Sequence, residues 1–175
     1  MTVKTVGRKA LLKYSTVSAG GILLFTTVGL LFFEQGIGGQ GITIRRIMRI
    51  YSNEISDNTT FIVIQVLVLL TGIWGLGGHV GQSIISKGRN RLLVGGLSIL
   101  ILWLVLFLGS AVTAGIENSI KYGPEGFSSA FTGWLIYGLI PFFGFGILNG
   151  LLLGFPLGQE IKREGVKLNA PQQNV

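Results

Sequence analysis

Four runs of apolar residues divide the chain, at 15–33, 61–81, 92–116 and 131–157, and none contains Asp, Glu, Lys or Arg. A helix that crosses ~30 Å of hydrocarbon needs about 20 such residues. The pattern therefore predicts an all-α integral membrane protein with four transmembrane helices and a single membrane domain over 1–175. The first run follows Lys4, Arg8, Lys9 and Lys13, as a signal sequence would. It is longer than the usual apolar core of a signal sequence, and Phe32-Phe33-Glu34-Gln35 is not a small-residue cleavage site, so it is read as a true span.

Residues 42–51 carry a different pattern. Ile44, Ile47, Met48 and Tyr51 recur at helical spacing, while Arg45, Arg46 and Arg49 take the other faces. That predicts a short amphipathic helix at the membrane interface, its arginines against lipid headgroups or an acidic partner. Gly36 to Gly41 matches G-x-G-x-x-G, but it follows a membrane span and lacks a strand before it, so it reads as a loop. The tail 166–175 has the composition of a disordered end.

The fourth run holds Pro141, which removes a backbone donor and clashes with the preceding turn. A kink or break near Ile140-Pro141 is expected. Gly146, Gly150, Gly154 and Gly158 follow at steps of four, and Gly77 and Gly81 do the same in the second run. A stripe without Cβ atoms lets another backbone come close, so these six residues are candidate helix-packing positions.

A repeat runs through the same residues. Gly77-Gly78-His79-Val80-Gly81-Gln82-Ser83-Ile84 resembles Gly154-Phe155-Pro156-Leu157-Gly158-Gln159-Glu160-Ile161. Upstream, Gly7-Arg8-Lys9-Ala10-Leu11-Leu12 resembles Gly88-Arg89-Asn90-Arg91-Leu92-Leu93, and a glycine pair follows each, at Gly20-Gly21 and Gly95-Gly96. The chain would then be a duplicated two-helix hairpin, its repeats parallel.

Composition adds to this picture. The 175 residues are 49% hydrophobic and 12% charged, half the charge of an average soluble domain, with a mean hydropathy of +0.64. The 28 glycines have no G-X-Y period. Cysteine is absent, which excludes disulfides and thiolate metal sites. Lysine and arginine concentrate in the N-terminal tail, the 82–91 loop and the C-terminal segment, which hold ten of the fourteen. Those three regions belong on one side, so both termini are expected to be cytoplasmic. The +7 net charge is then an orientation signal, and no nucleic-acid partner is expected.

Little chemistry is left. Gln65 and Asn149 are the polar side chains of note within the spans, able to hydrogen-bond between helices or to line a cavity. The single histidine, His79, lies among glycines that would admit a flat macrocycle, so an axial bond to a pigment or haem is the sharper reading and a plain interfacial histidine the plainer one. No cofactor is expected. Paired carboxylates, a histidine cluster and an activated nucleophile are all missing, so the chain is not read as an enzyme. The function expected is a non-catalytic membrane subunit that packs into, anchors or assembles a larger complex. Its partners would be the lipid bilayer and other membrane subunits or itself. The alternative is a small oligomeric transporter or channel for a neutral or weakly charged solute.

Overall fold

A computed structural model describes residues 2–37, 45, 48, 49, 51–53 and 58–169, with the side chains of 26, 29–37, 140–143 and 169 left out. Among the described residues the structure is helical throughout, with no strand. Five long helices form: α1 (Val3–Ile37), α2 (Thr59–Gly81), α3 (Arg91–Tyr122), α4 (Pro124–Pro141) and α5 (Ile147–Asn169).

Their ends follow from local chemistry. Asn90 caps α3 by accepting the Leu92 amide at 3.0 Å. Gly123, at φ 84°, stops α3 in a conformation that a side chain disfavours, and Pro124 opens α4 at a position that needs no amide donor. A π-helical stretch, Gln82–Ser86, extends α2 and closes with the Lys87 amide on the Gln82 carbonyl. A second, Phe142–Gly146, joins α4 to α5 directly after Pro141. The chain axis bends by 49° between 124–139 and 144–168. The expected fourth span is thus two helices meeting at a break, where proline withdraws a donor and the helix widens to compensate.

Among the described residues, 59–86 and 91–122 are long and apolar enough to cross a membrane, and the bent α4–α5 pair makes a third if it counts as one span. The expected first span falls within α1, but much of its side-chain structure lies outside the described residues. Of the expected disordered tail, 166–169 are instead the last turn of α5, and 170–175 lie outside the description.

Large apolar side chains face outward, and several hydroxyls lie inside beside an apolar core. Ser15, Ser18, Ser83, Ser98 and Thr113 are buried, whereas Leu24, Leu151, Leu152 and Trp74 are about two-thirds exposed. Buried hydroxyls turn back onto their own helices: Ser98 donates to the Gly95 carbonyl and Thr113 to the Gly109 carbonyl, each at 2.8 Å. A core of Val6, Leu11, Ile73, Val80, Ile99, Leu157 and Ile161 draws on α1, α2, α3 and α5.

Two helix crossings share one geometry. On α1, a Cβ at Gly7 would strike the Gly77 carbonyl oxygen and come within 2.7 Å of the Gly81 amide; on α3, a Cβ at Gly95 would strike the Gly154 carbonyl oxygen and meet the Gly158 amide at 3.3 Å. A Cβ at Gly77 would meet Arg8 Cα at 2.7 Å, and one at Gly154 would meet Gly96 Cα at 2.5 Å. Gly81 faces the Val3 carbonyl as Gly158 faces the Arg91 carbonyl. The equivalence of Gly77 and Gly81 with Gly154 and Gly158 keeps the register of the sequence repeat. Its other half does not: Gly7 corresponds in contact to Gly95, not to Gly88. Gly88 sits in the loop before α3 at φ 59° with open space around it. The second crossing also joins α3 to α5, with α4 between them in sequence, so it is not a simple two-helix hairpin.

Candidate functional site

At one end of the bundle the first turns of α1, the end of α2, the start of α3 and the end of α5 come together. Val3 lies against Gly81, Arg91 against Gly158, and Ile85 against Gly165. This end gathers the basic residues that the sequence distributes over three segments.

Between α1, α3 and α5 it opens into a cleft of about 580 Å³ lined by Lys13, Tyr14, Arg91, Gln159, Lys162 and Arg163, among others. Glu160 stands on its wall, 2.6 Å from Lys13 Nζ, and ties α5 to α1 across 147 positions of sequence. That hydrogen bond raises the Lys13 pKa above its ordinary value. Partial burial, with the Glu160 carboxylate adding to it, raises that of Tyr14. The second carboxylate, Glu164, is held by Lys167 at 2.6 Å, which lowers its pKa. Both acids of the cleft are therefore engaged by lysines. Among the described residues no carboxylate pairs with Arg91, Lys162 or Arg163. Arg91 instead lies over the Phe155 ring, 5.6 Å from its centroid. A smaller hollow of about 310 Å³, bordered by Arg89 and Asn90, shares Arg91 and Lys162 with the cleft.

On the same end Arg8 Nε donates to the Trp74 carbonyl at 3.0 Å, its guanidinium 4.3 Å from the Trp74 ring centroid. This links α1 to α2 beside the Gly77 crossing.

The expected site residues are placed as follows. Gly77, Gly81, Gly154 and Gly158 lie at the two crossings within the chain, and Gly150 faces the Gly96 carbonyl. Gly146 is buried in the π-helical break. Gln65 Nε2 donates to Thr113 Oγ1 at 3.4 Å between α2 and α3, while its Oε1 is buried without a partner among the described residues. Asn149 is half-buried on α5, with no side-chain hydrogen bond to another helix among the described residues. His79 is exposed near the end of α2, and no group of three or more His, Cys, Asp or Glu side chains placed to hold a metal occurs among the described residues.

In the expected interfacial helix 42–51, residues 45, 48, 49 and 51 are described. Arg45, Met48 and Arg49 are exposed, and Tyr51 Oη lies 3.0 Å from Thr27 Oγ1 of α1. Arg46 lies outside the described residues.

Two features were not singled out from the sequence. One is the basic cleft, whose residues had counted only toward orientation. No spacing rule relates Lys13 to Glu160. The other is an outward apolar groove of about 530 Å³ between α2 and α3, floored by Gly72 and Gly75 and walled by Ile64, Leu67, Ile101 and Val105. A Cβ on Gly75 would meet nothing within 4 Å.

Comparison with known proteins finds no match: no family model, no curated protein and no solved structure resembles the chain.

Proposed function

We propose that the protein is a four-span integral membrane protein, with both termini cytoplasmic, that serves as a non-catalytic packing or anchoring subunit of a larger membrane complex. The observation that carries this reading is the α2–α3 groove. Gly75 in its floor is open, while Gly72 already packs against Leu102; its walls are apolar, and the crossings of α1 with α2 and of α3 with α5 use other glycines. A helix from another subunit could approach Gly75 as closely as α5 approaches Gly95. The many exposed large apolar side chains support the membrane setting, and the clustering of cations at one end supports the orientation.

Purification from native membranes in mild detergent tests it. Stable co-purification with other membrane chains, lost on Gly75→Leu without loss of the fold, is the expected result. A homogeneous species of this chain alone that conducts or swells liposomes would replace the subunit reading with the transporter reading.

A further inference from the structure

The cleft at the basic end has more cations than its own carboxylates engage, and the two helices that carry the surplus also expose leucines. Arg91, Lys162 and Arg163 converge on it with no carboxylate partner among the described residues, since Lys13 takes Glu160 and Lys167 takes Glu164. Arg91, which lines the cleft from α3, also lies over the Phe155 ring of α5. On the same two helices Leu92, Leu93, Leu151 and Leu152 are each more than half exposed. A free anion would use only the cations. An anionic phospholipid would use both surfaces, its phosphate among the guanidinium and ammonium groups and an acyl chain along the leucines. The cleft volume falls within the ordinary range for a small-ligand site.

We propose that this cleft is a binding site for the phosphate headgroup of an anionic phospholipid, with Arg91 and Arg163 as its principal contacts and Lys162 at its rim. The proposal rests on the membrane setting argued above, but not on the subunit role.

The test uses the full chain in mild detergent, with native mass spectrometry reading retained lipid. Phosphatidylglycerol and phosphatidylcholine of identical acyl chains are titrated separately, with inorganic phosphate as a competitor. Association with vesicles of phosphatidylcholine alone reports the membrane setting independently of the site. Phosphatidylglycerol should be retained in preference to phosphatidylcholine, and millimolar phosphate should not displace it.

Near an anionic surface each cation strengthens binding about fivefold, so Arg91→Gln with Arg163→Gln should weaken phosphatidylglycerol about thirtyfold. The charge-matched pair Lys9→Gln with Lys87→Gln should leave it within about twofold. If the double arginine variant fails to fold, Lys162→Gln, at an exposed position, should give the fivefold step alone. Equal losses from the two double variants, or full binding by Lys162→Gln in the fallback test, would overturn the site. Efficient displacement by phosphate would overturn the lipid assignment in favour of a free-anion site.

Discussion

Gly154→Ala separates close backbone contact from mere glycine content. A Cβ at 154 would sit 2.5 Å from both the amide nitrogen and the Cα of Gly96, and 3.1 Å from the carbonyl carbon of Gly95. Carbon pairs rest at about 3.5–4.0 Å, so α3 and α5 would have to part by about 1 Å. These neighbours are backbone atoms, and no rotamer can relieve the contact. Overpacking of this kind costs about 1–3 kcal/mol, and the upper end applies where nothing can yield. The better helix propensity of alanine returns about 1 kcal/mol, leaving a net loss of about 2 kcal/mol.

Gly20→Ala is the control. A Cβ there meets nothing within 4 Å, so that variant should gain up to about 1 kcal/mol. Gly150→Ala should fall between them, since its nearest contacts are the Gly96 carbonyl oxygen at 3.3 Å and Leu100 Cβ at 3.9 Å. Reversible unfolding in mixed micelles, followed by circular dichroism, measures all three. The order Gly20→Ala, Gly150→Ala, Gly154→Ala from most to least stable is expected, with about 3 kcal/mol between the extremes. A Gly154→Ala protein as stable as Gly20→Ala would refute the crossing geometry.

Thr113→Val removes the one hydrogen-bond partner of the Gln65 amide among the described residues and should cost about 1–3 kcal/mol. Gln65→Leu also removes the orphaned acceptor and should stay within about 1 kcal/mol of the parent; the same unfolding assay ranks the pair. Arg8→Lys keeps the charge but loses the guanidinium contact with the Trp74 ring and the Nε hydrogen bond to its carbonyl, so stability should drop by about 0.5–1 kcal/mol with a shift in tryptophan emission. Lys13 and Tyr14 both have raised pKa values, so their stabilising contributions are full below their ordinary values of 10.5 and 10.0 and are lost as pH rises through the higher folded values. Alkaline titration should therefore reduce stability, and Glu160→Gln should remove part of that slope. It should not remove all of it, because burial is the larger cause for Tyr14.

The second and third apolar runs were legible as α2 and α3 because a long apolar run is defined by composition over a wide window, and that signal tolerates error at individual residues. The break after Pro141 was legible too, since proline acts on its own backbone. The register of the crossings was not. Gly7 and Gly88 sit in similar strings, yet Gly88 turns a loop while Gly95 meets α5. The decisive property of Gly95 is a carbonyl on another helix, which local sequence does not record. The adjacent glycines Gly20 and Gly21 look like Gly95 and Gly96 in sequence and face open space.

The same reasoning explains why the basic cleft was hidden. Counting lysines and arginines gives the sum of charge at one end of a bundle, but a binding site depends on which of those charges remain after internal pairing. Lys13 is neutralised by a glutamate 147 residues away, and Lys167 by one three residues away. Only the second pairing follows from helical spacing. Within the cleft, internal pairing leaves Arg91, Lys162 and Arg163 of the four cations that line it, with Arg91 also over the Phe155 ring, so the specific part of the basic end is much smaller than its total charge suggests. Orientation in the bilayer needs the total, whereas recognition of a phosphate needs the remainder. Substitutions at Lys9 or Lys87 should therefore change the first and leave the second alone.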